Sequence, residues 1–197
     1  NVGARSAWCT CYAAPPQAVT LDIDDTRDVA HGHQQLSLFN AHYDERCFLP
    51  IHVYDTATGR PVAIILRPGK TPSGEEVRGH LRRIVRRIRA HWPTTKITIR
   101  GDGHYGRREV MDWCEDNGVE YVFGLSGNRI LAVAVDVEAD DIRTRRALKQ
   151  MLVLRGYAQT SYGAKSWRGE RRVCARIELA LATACPQAGL FRHLADA

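Results

Sequence analysis

A chain of 197 residues, 44% hydrophobic and 25% charged, holds enough apolar surface for one sizeable core and an appended subdomain. Its longest apolar stretches, "PVAIIL" and "RILAVAV", are too short to span a bilayer, and no apolar segment of a secretory signal opens the chain. The expected setting is therefore the cytoplasm of the host, with no membrane partner. A net charge of +6 points to a polyanion, because Lys and Arg placed near phosphates release counterions, although charge alone separates DNA binders poorly from other basic proteins.

Residues 1–17 carry Trp8, Cys9 and Cys11 and close on Pro15 and Pro16, which continue neither a helix nor a central strand, so they read as a lead-in. The six cysteines lack the paired spacing of a zinc site and read as reduced, mostly buried thiols. "AVTLDIDD" follows as the first strand, with Val19, Leu21 and Ile23 on one face and Thr20, Asp22 and Asp24 on the other. "QQLSLFNAHY" and "CFLPIHVYD" read as two further strands, and "VAIILRPG" continues the sheet past a polar turn.

The spacing of Val77, Leu81, Ile84, Val85, Ile88 and Trp92 predicts an amphipathic helix, with a capping box at Ser73 and Glu76 and a stop at Pro93. Six arginines, Arg82 and Arg86 among them, fall mostly off its apolar stripe and serve either a solvated face or a DNA-facing one. "KITIRGDG" is the next strand and, like the first, ends in an acid, Asp102. A second helix through Val110, Trp113 and Cys114 ends near Gly118, and "VEYVFGLS" returns to strand. Beyond it an apolar run and a charged helix-like stretch lead to the alternating strand "RRVCARIEL".

This order of elements suggests an α/β fold: a mixed sheet with flanking helices, in which the first and fourth strands lie side by side. That pairing brings the Asp22/Asp24 strand beside Asp102. Converging carboxylates repel unless a proton or cation sits between them, and hard divalent ions take carboxylate oxygens. Against this stands a plainer reading, in which Asp22, Asp24 and Asp25 merely end a strand and Asp102 sits in an ordinary Gly-Asp-Gly turn.

The strand "LDIDDT" followed by "HGHQ", the run "HYDERCFLPIHVYD", the stretch "RPGKTPSGEEVRGHLRRIVRRI" and above all "ITIRGDGHYGRREVMDWCEDNGVEYVFGLSGN" resemble the DDE transposases of bacterial insertion sequences, over roughly residues 8–178. The resemblance implies an RNase H-like, retroviral-integrase-like core in which three acids bind Mg²⁺, with Mn²⁺ as substitute, and cut and join double-stranded DNA at terminal repeats. A transposase homo-oligomer is a candidate assembly, and the sequence leaves the oligomeric state open. The first acid falls on Asp24 or Asp22, with Asp24 preferred, and the second on Asp102. DNA contacts are expected from Arg82 and Arg86 on the helix and from Lys165 and Arg168 around Trp167, a residue that either stacks on an unpaired base or anchors a hairpin. His104 and Tyr105 follow Asp102 closely enough to approach a phosphate.

The third acid departs from the pattern. Similar transposases carry it in a run of Tyr, two residues, Arg, three residues, Glu, six residues, Lys, whereas Tyr162 here is followed three residues on by Lys165. Glu170 and Glu178 are the substitutes within reach. The expected organisation is a lead-in over 1–17, the first part of the catalytic core over 18–128, a partly β inserted region over 129–178, and a tail over 179–197 whose Ala-rich composition fits a frame change or truncation near residue 179. The expected function is that of a catalytically incomplete DNA transposase fragment. The alternatives are an RNase H-like nuclease that does not join DNA, or a non-catalytic DNA-binding fragment.

Overall fold

The protein is described from a computed structural model, which places residues 8–32, 34–149, 153–180 and 193–194. It divides into two compact units, residues 1–121 and 122–197. In the first, strands β1 (Ala18–Asp25), β5 (Ile51–Asp55), β6 (Pro61–Ile65), β7 (Lys96–Gly101) and β8 (Glu120–Phe123, crossing into the second unit) form a five-stranded sheet in the order β6-β5-β1-β7-β8. Strand β1 runs antiparallel to β5 and parallel to β7, so the sheet is mixed. Counted within this sheet, its first and fourth strands are neighbours.

Register decides which face each side chain takes. Val19, Leu21 and Ile23 are buried, and Ile23 lies opposite Val53, which lies opposite Ala63. Ala63 in turn lines a cavity of about 120 Å³ together with Ile84 and Ile88 of helix α1 (Gly74–His91). Helix α1 therefore covers the apolar face. The other face carries Asp22, Asp24, His52, Tyr54 and Ile64, because cross-strand partners share a side of the sheet.

Helix α1 forms where the spacing predicts, with Val77, Leu81, Val85, Ile88 and the C-terminal Trp92 buried; each such side chain contributes roughly 1.5–3 kcal/mol relative to exposure. Only half of the expected capping box forms. Ser73 Oγ accepts from the Glu76 amide at 3.2 Å, but the Glu76 carboxylate is held instead by the buried Arg67 at 2.6 and 3.0 Å, which lowers its pKa. Helix α2 (Arg108–Asp116) ends through Gly118 at φ +57°, and the Val119 amide reaches back to the Cys114 carbonyl at 2.9 Å.

Two expectations are corrected here. "CFLPIHVYD" is not one strand: it breaks at Leu49–Pro50, since Pro50 has no amide hydrogen for a ladder, and its halves enter different sheets. "QQLSLFNAHY" is strand only over β3 (Leu38–Asn40), which pairs with β4 (Glu45–Phe48) across a turn where Asp44 takes φ +52°. With β2 (Asp28–Val29) these make a small separate sheet in the order β2-β4-β3.

The lead-in is more than a connection. Trp8 is buried and meets Trp92 and Tyr12 edge-on, with ring centroids 5.0 and 5.9 Å away. Both Trp8 Nε1 (3.0 Å) and Tyr12 OH (2.6 Å) donate to the fully buried Asp55, which also accepts from Thr58 Oγ1 (2.6 Å) and the Ala57 amide (3.1 Å). Burial alone would push the Asp55 carboxyl up, but these four donors outweigh it and hold the pKa below its ordinary value.

In the second unit, α3 (Arg129–Ala134) and α4 (Asp136–Lys149) precede a hairpin of β9 (Val153–Tyr162) and β10 (Arg171–Ala180), with β11 (His193–Leu194) paired to the outer edge of β10. Val135, Ala139 and Ile142 pack on Ala158, Ala175 and Ile177. Gly156 permits that approach, because a Cβ there would collide with Ile142. Of the tail assigned a frame change, residues 181–192 and 195–197 lie outside the described residues, as does Cys185. The other five cysteines are free thiols, two of them buried.

Asp55→Ala should destabilise the first unit by about 3 kcal/mol, since it strands buried donors, as read by urea denaturation with tryptophan fluorescence. Because the folded pKa is depressed, this contribution is present above the ordinary carboxylate range and disappears as pH falls through the folded value. The gap between wild type and variant should therefore close in acid. Gly156→Ala should cost about 1–3 kcal/mol, and adding Ile142→Val should recover part of the loss.

Candidate functional site

The site forms where β1 and β7 end together. Their parallel register runs through Asp22 beside Arg100 and Ile23 beside Gly101, so the next step along each strand sets Asp24 beside Asp102. Gly101 makes the corner tight: a Cβ there would lie 2.9 Å from Ile23 and 3.2 Å from Tyr105. The chain turns back at once, with Asp102 Oδ1 accepting from the His104 amide at 2.8 Å and the Tyr105 amide donating to the Asp102 carbonyl at 3.2 Å. This self-closed turn holds Asp102 at the sheet edge while leaving its side chain about half exposed.

Asp24 feels its surroundings. Partial burial raises its pKa, the Asp25 amide opposes by donating to Oδ1 at 2.9 Å, the charges of Asp102 and Asp25 raise it further, and His52 pulls it down. His52 is its cross-strand partner on β5. Asp24 and Asp102 are thus close enough to repel, and a cation would relieve both.

Asp22 shares the face of Asp24 but not its situation. Arg100 grips it with two bonds of 2.6 Å, a fork-to-carboxylate pairing that occupies both oxygens. The sequence alone could not separate the two acids, because Arg100 is distant in the chain and only the register sets it opposite.

Three groups at this edge escaped sequence reasoning as site residues or were left undecided. Asp25 is nearly buried and accepts from Tyr105 OH at 3.3 Å, with His104 Nδ1 at 4.0 Å. Tyr105 is fully buried, and its phenol is pushed well up by that burial and by the nearby carboxylates, so it stays a neutral donor. His104 Nδ1 lies 3.6 Å from Asp102 Oδ2. The available signal was the contiguity of Asp24-Asp25 and of Asp102 through Tyr105 in strands that converge.

The remaining expected residues fall elsewhere. Arg82 and Arg86 are exposed on α1, on the layer covering the opposite face of the sheet. Within the second unit, Lys165 and Arg168 are exposed in the connection between β9 and β10. Trp167 anchors that connection: it meets Tyr162 edge-on at 5.5 Å, and the Arg171 guanidinium lies 5.1 Å over its ring. Trp113 is half-buried on α2, in phase with the buried Val110. Glu178 is engaged by Arg155 at 2.8 Å, and Glu170 is exposed beside Gly163. Among the described residues no group of three His, Cys, Asp or Glu side chains is arranged to hold a metal ion.

The sequence matches the transposase DDE domain, group 1, over residues 4–195. The chain belongs to that family. No curated protein matches it by sequence. In structure it is similar to the piggyBac transposase of a synaptic complex with hairpin DNA, at 9% identity and a TM-score of 0.50, covering 93% of this chain and 33% of that one. This DDE chain thus spans about a third of the length of that protein. Weaker likenesses are to the Drosophila P element transposase of a strand transfer complex (11% identity, TM-score 0.28, 54% and 22% covered) and to a chain of the simian T-cell lymphotropic virus intasome (10%, 0.37, 93% and 81%). At these identities the similarity concerns the fold, and the mixed sheet with flanking helices is the RNase H-like core of the DDE family.

If Asp102 raises Asp24 through its charge, Asp102→Asn should lower the Asp24 titration midpoint, as read by carboxyl carbon NMR in the metal-free protein. An unchanged midpoint would mean that the two carboxylates do not interact.

Proposed function

We propose that this chain is the first part of the catalytic core of a DNA transposase that cuts and joins strands at the ends of an insertion sequence by divalent-ion-dependent phosphoryl transfer. One observation carries the reading: parallel pairing of β1 and β7 sets Asp24 and Asp102 side by side at one sheet edge, where the charge of Asp102 adds to the cost of ionising Asp24. Asp22 is excluded as a ligand in this reading because Arg100 already satisfies it.

The donors suit a hard divalent cation, Mg²⁺ or Mn²⁺, in kind, since both are carboxylates that repel in its absence. They fall short in number, because no third ligand joins them among the described residues. When bound, such an ion supplies Lewis-acid stabilisation of charge on the phosphodiester oxygens. Asp24 and Asp102 would hold it. Tyr105 and His104 hold the carboxylates in place, the phenol by donating to Asp25 and the His104 amide by donating to Asp102. Double-stranded DNA is the substrate in this reading, with backbone contacts from Arg82, Arg86, Lys165 and Arg168, and assembly as a homo-oligomer brings the ends together. Among the described residues no helix is long and apolar enough to cross a membrane.

Thermal denaturation with added Mg²⁺ or Mn²⁺ tests the ligand assignment. The midpoint should rise for wild type and Asp22→Asn but stay unmoved for Asp24→Asn and Asp102→Asn; the reverse pattern would transfer the role to Asp22. On a pre-nicked donor duplex with Mn²⁺, two carboxylates without a third should give no joined product. Robust joining would show that a further ligand is present, and hydrolysis without joining would favour the nuclease alternative.

A further inference from the structure

The helices of the second unit carry apolar residues on two opposite sides. Leu131, Val135, Ala139 and Ile142 are buried at steps of four, four and three residues, and the last three pack on Ala158, Ala175 and Ile177 of the hairpin. The inward side therefore keeps its phase across the junction of α3 and α4. Half a turn away, Ile130 and Val133 on α3 and Val137 and Leu148 on α4 form a second stripe, each residue between 67% and 80% exposed. Three of the four are β-branched, which lose side-chain freedom in a helix and here gain no burial in return. Large apolar side chains aligned in this way form a patch, unlike apolar residues scattered singly over a surface.

Charge restricts what can cover it. Helix α4 places four acids, Asp136, Glu138, Asp140 and Asp141, ahead of four bases, Arg143, Arg145, Arg146 and Lys149. Acids flanking Val137 make this face unsuited to a phosphate backbone or an anionic lipid surface. Within the helix Arg143 meets Asp136 and Asp140, and Arg145 meets Asp141, but these pairs are exposed and exchanging them for intermolecular ones costs little. An acidic first half and a basic second half make the helix complementary to its own reverse. Laid antiparallel on a second copy about a two-fold axis at its midpoint, α4 sets Val137 against Leu148 of the second copy, Asp140 against its Arg145 and Asp136 against its Lys149, with each contact made twice.

We propose that the exposed face of α3 and α4 is a self-association surface, on which a second copy of this chain docks its own α4 antiparallel. Its biological setting rests on the homo-oligomer of the reading above, whereas the contact itself needs neither DNA nor a divalent ion. A helix of 14 residues is about 21 Å long and, with side chains, about 10 Å wide. That places the interface at the small end of specific ones and its dissociation constant in the micromolar range.

The test is sedimentation equilibrium of the 197-residue chain in EDTA without DNA, from roughly 1 to 100 μM. Wild type should pass from monomer to dimer across that range. Val137→Gln with Leu148→Gln should raise the dissociation constant by roughly tenfold or more. Asp136→Lys with Asp140→Lys should abolish self-association by setting like charges opposite each other, and so should Arg145→Glu with Lys149→Glu. Mixed in equal amounts, these two variants should form a heterodimer of wild-type strength, because the facing charges are again opposite in sign. Circular dichroism and the recovered mixed dimer separate a lost contact from lost folding. The proposal is overturned if wild type stays monomeric throughout, if the Gln pair associates as wild type does, or if the mixture fails to recover a dimer. Self-association untouched by every α4 variant would also overturn it, moving the homo-oligomer contact to another surface. Failure of the metal assignment shows instead in the thermal shifts of Asp24→Asn and Asp102→Asn, variants that should dimerise as wild type does.

Discussion

The chemistry at the sheet edge rests on one backbone constraint, the parallel pairing of β1 with β7. Parallel strands need a crossover, and α1 supplies it by carrying the chain from edge strand β6 back to β7 on the other side of β1. With that crossover in place, residues 78 positions apart, Asp24 and Asp102, end on the same line, and the charge of Asp102 opposes ionisation of Asp24. Gly101 and the turn closed by the His104 amide hold this arrangement, because any side chain at 101 would crowd Ile23 and Tyr105.

The rest of the first unit supports that edge from below. Asp55, at the far end of β5 from His52, gathers Trp8, Tyr12, Thr58 and the Ala57 amide, and so ties the N-terminal residues to the sheet. Trp92 meets the same aromatic group from the end of α1. A buried carboxylate with four donors is costly to disturb, which makes it a structural anchor; the Asp24 carboxyl has few donors and a repelling neighbour, which makes it available.

The two faces of the sheet suggest a division of labour for a DDE-family chain. One edge gathers acids, and the helix on the opposite layer presents exposed arginines, Arg82 and Arg86 among them. Opposite charges placed on one surface would neutralise each other. Separated by a layer, the charges of Asp24 and Asp102 are not offset by those of Arg82 and Arg86.

How much of this could be read from residues alone follows from the range of each interaction. Period-two and period-3.6 patterns are local, so β1, α1, α2 and β7 were legible, as was the α/β class, and the motif through Asp102 carried the family resemblance. The single strand expected across Leu49–Pro50 failed because apolar runs do not show which sheet a strand joins; that the lead-in is core was hidden because Trp8 and Tyr12 answer to Asp55, more than forty positions away. The choice between Asp22 and Asp24 was likewise closed to the sequence, for both sit on one face at equal phase. Only the tertiary register, which brings Arg100 onto Asp22 and leaves Asp24 facing Asp102, distinguishes them, since the sequence records which side of a strand a residue takes but not what a distant strand sets against it.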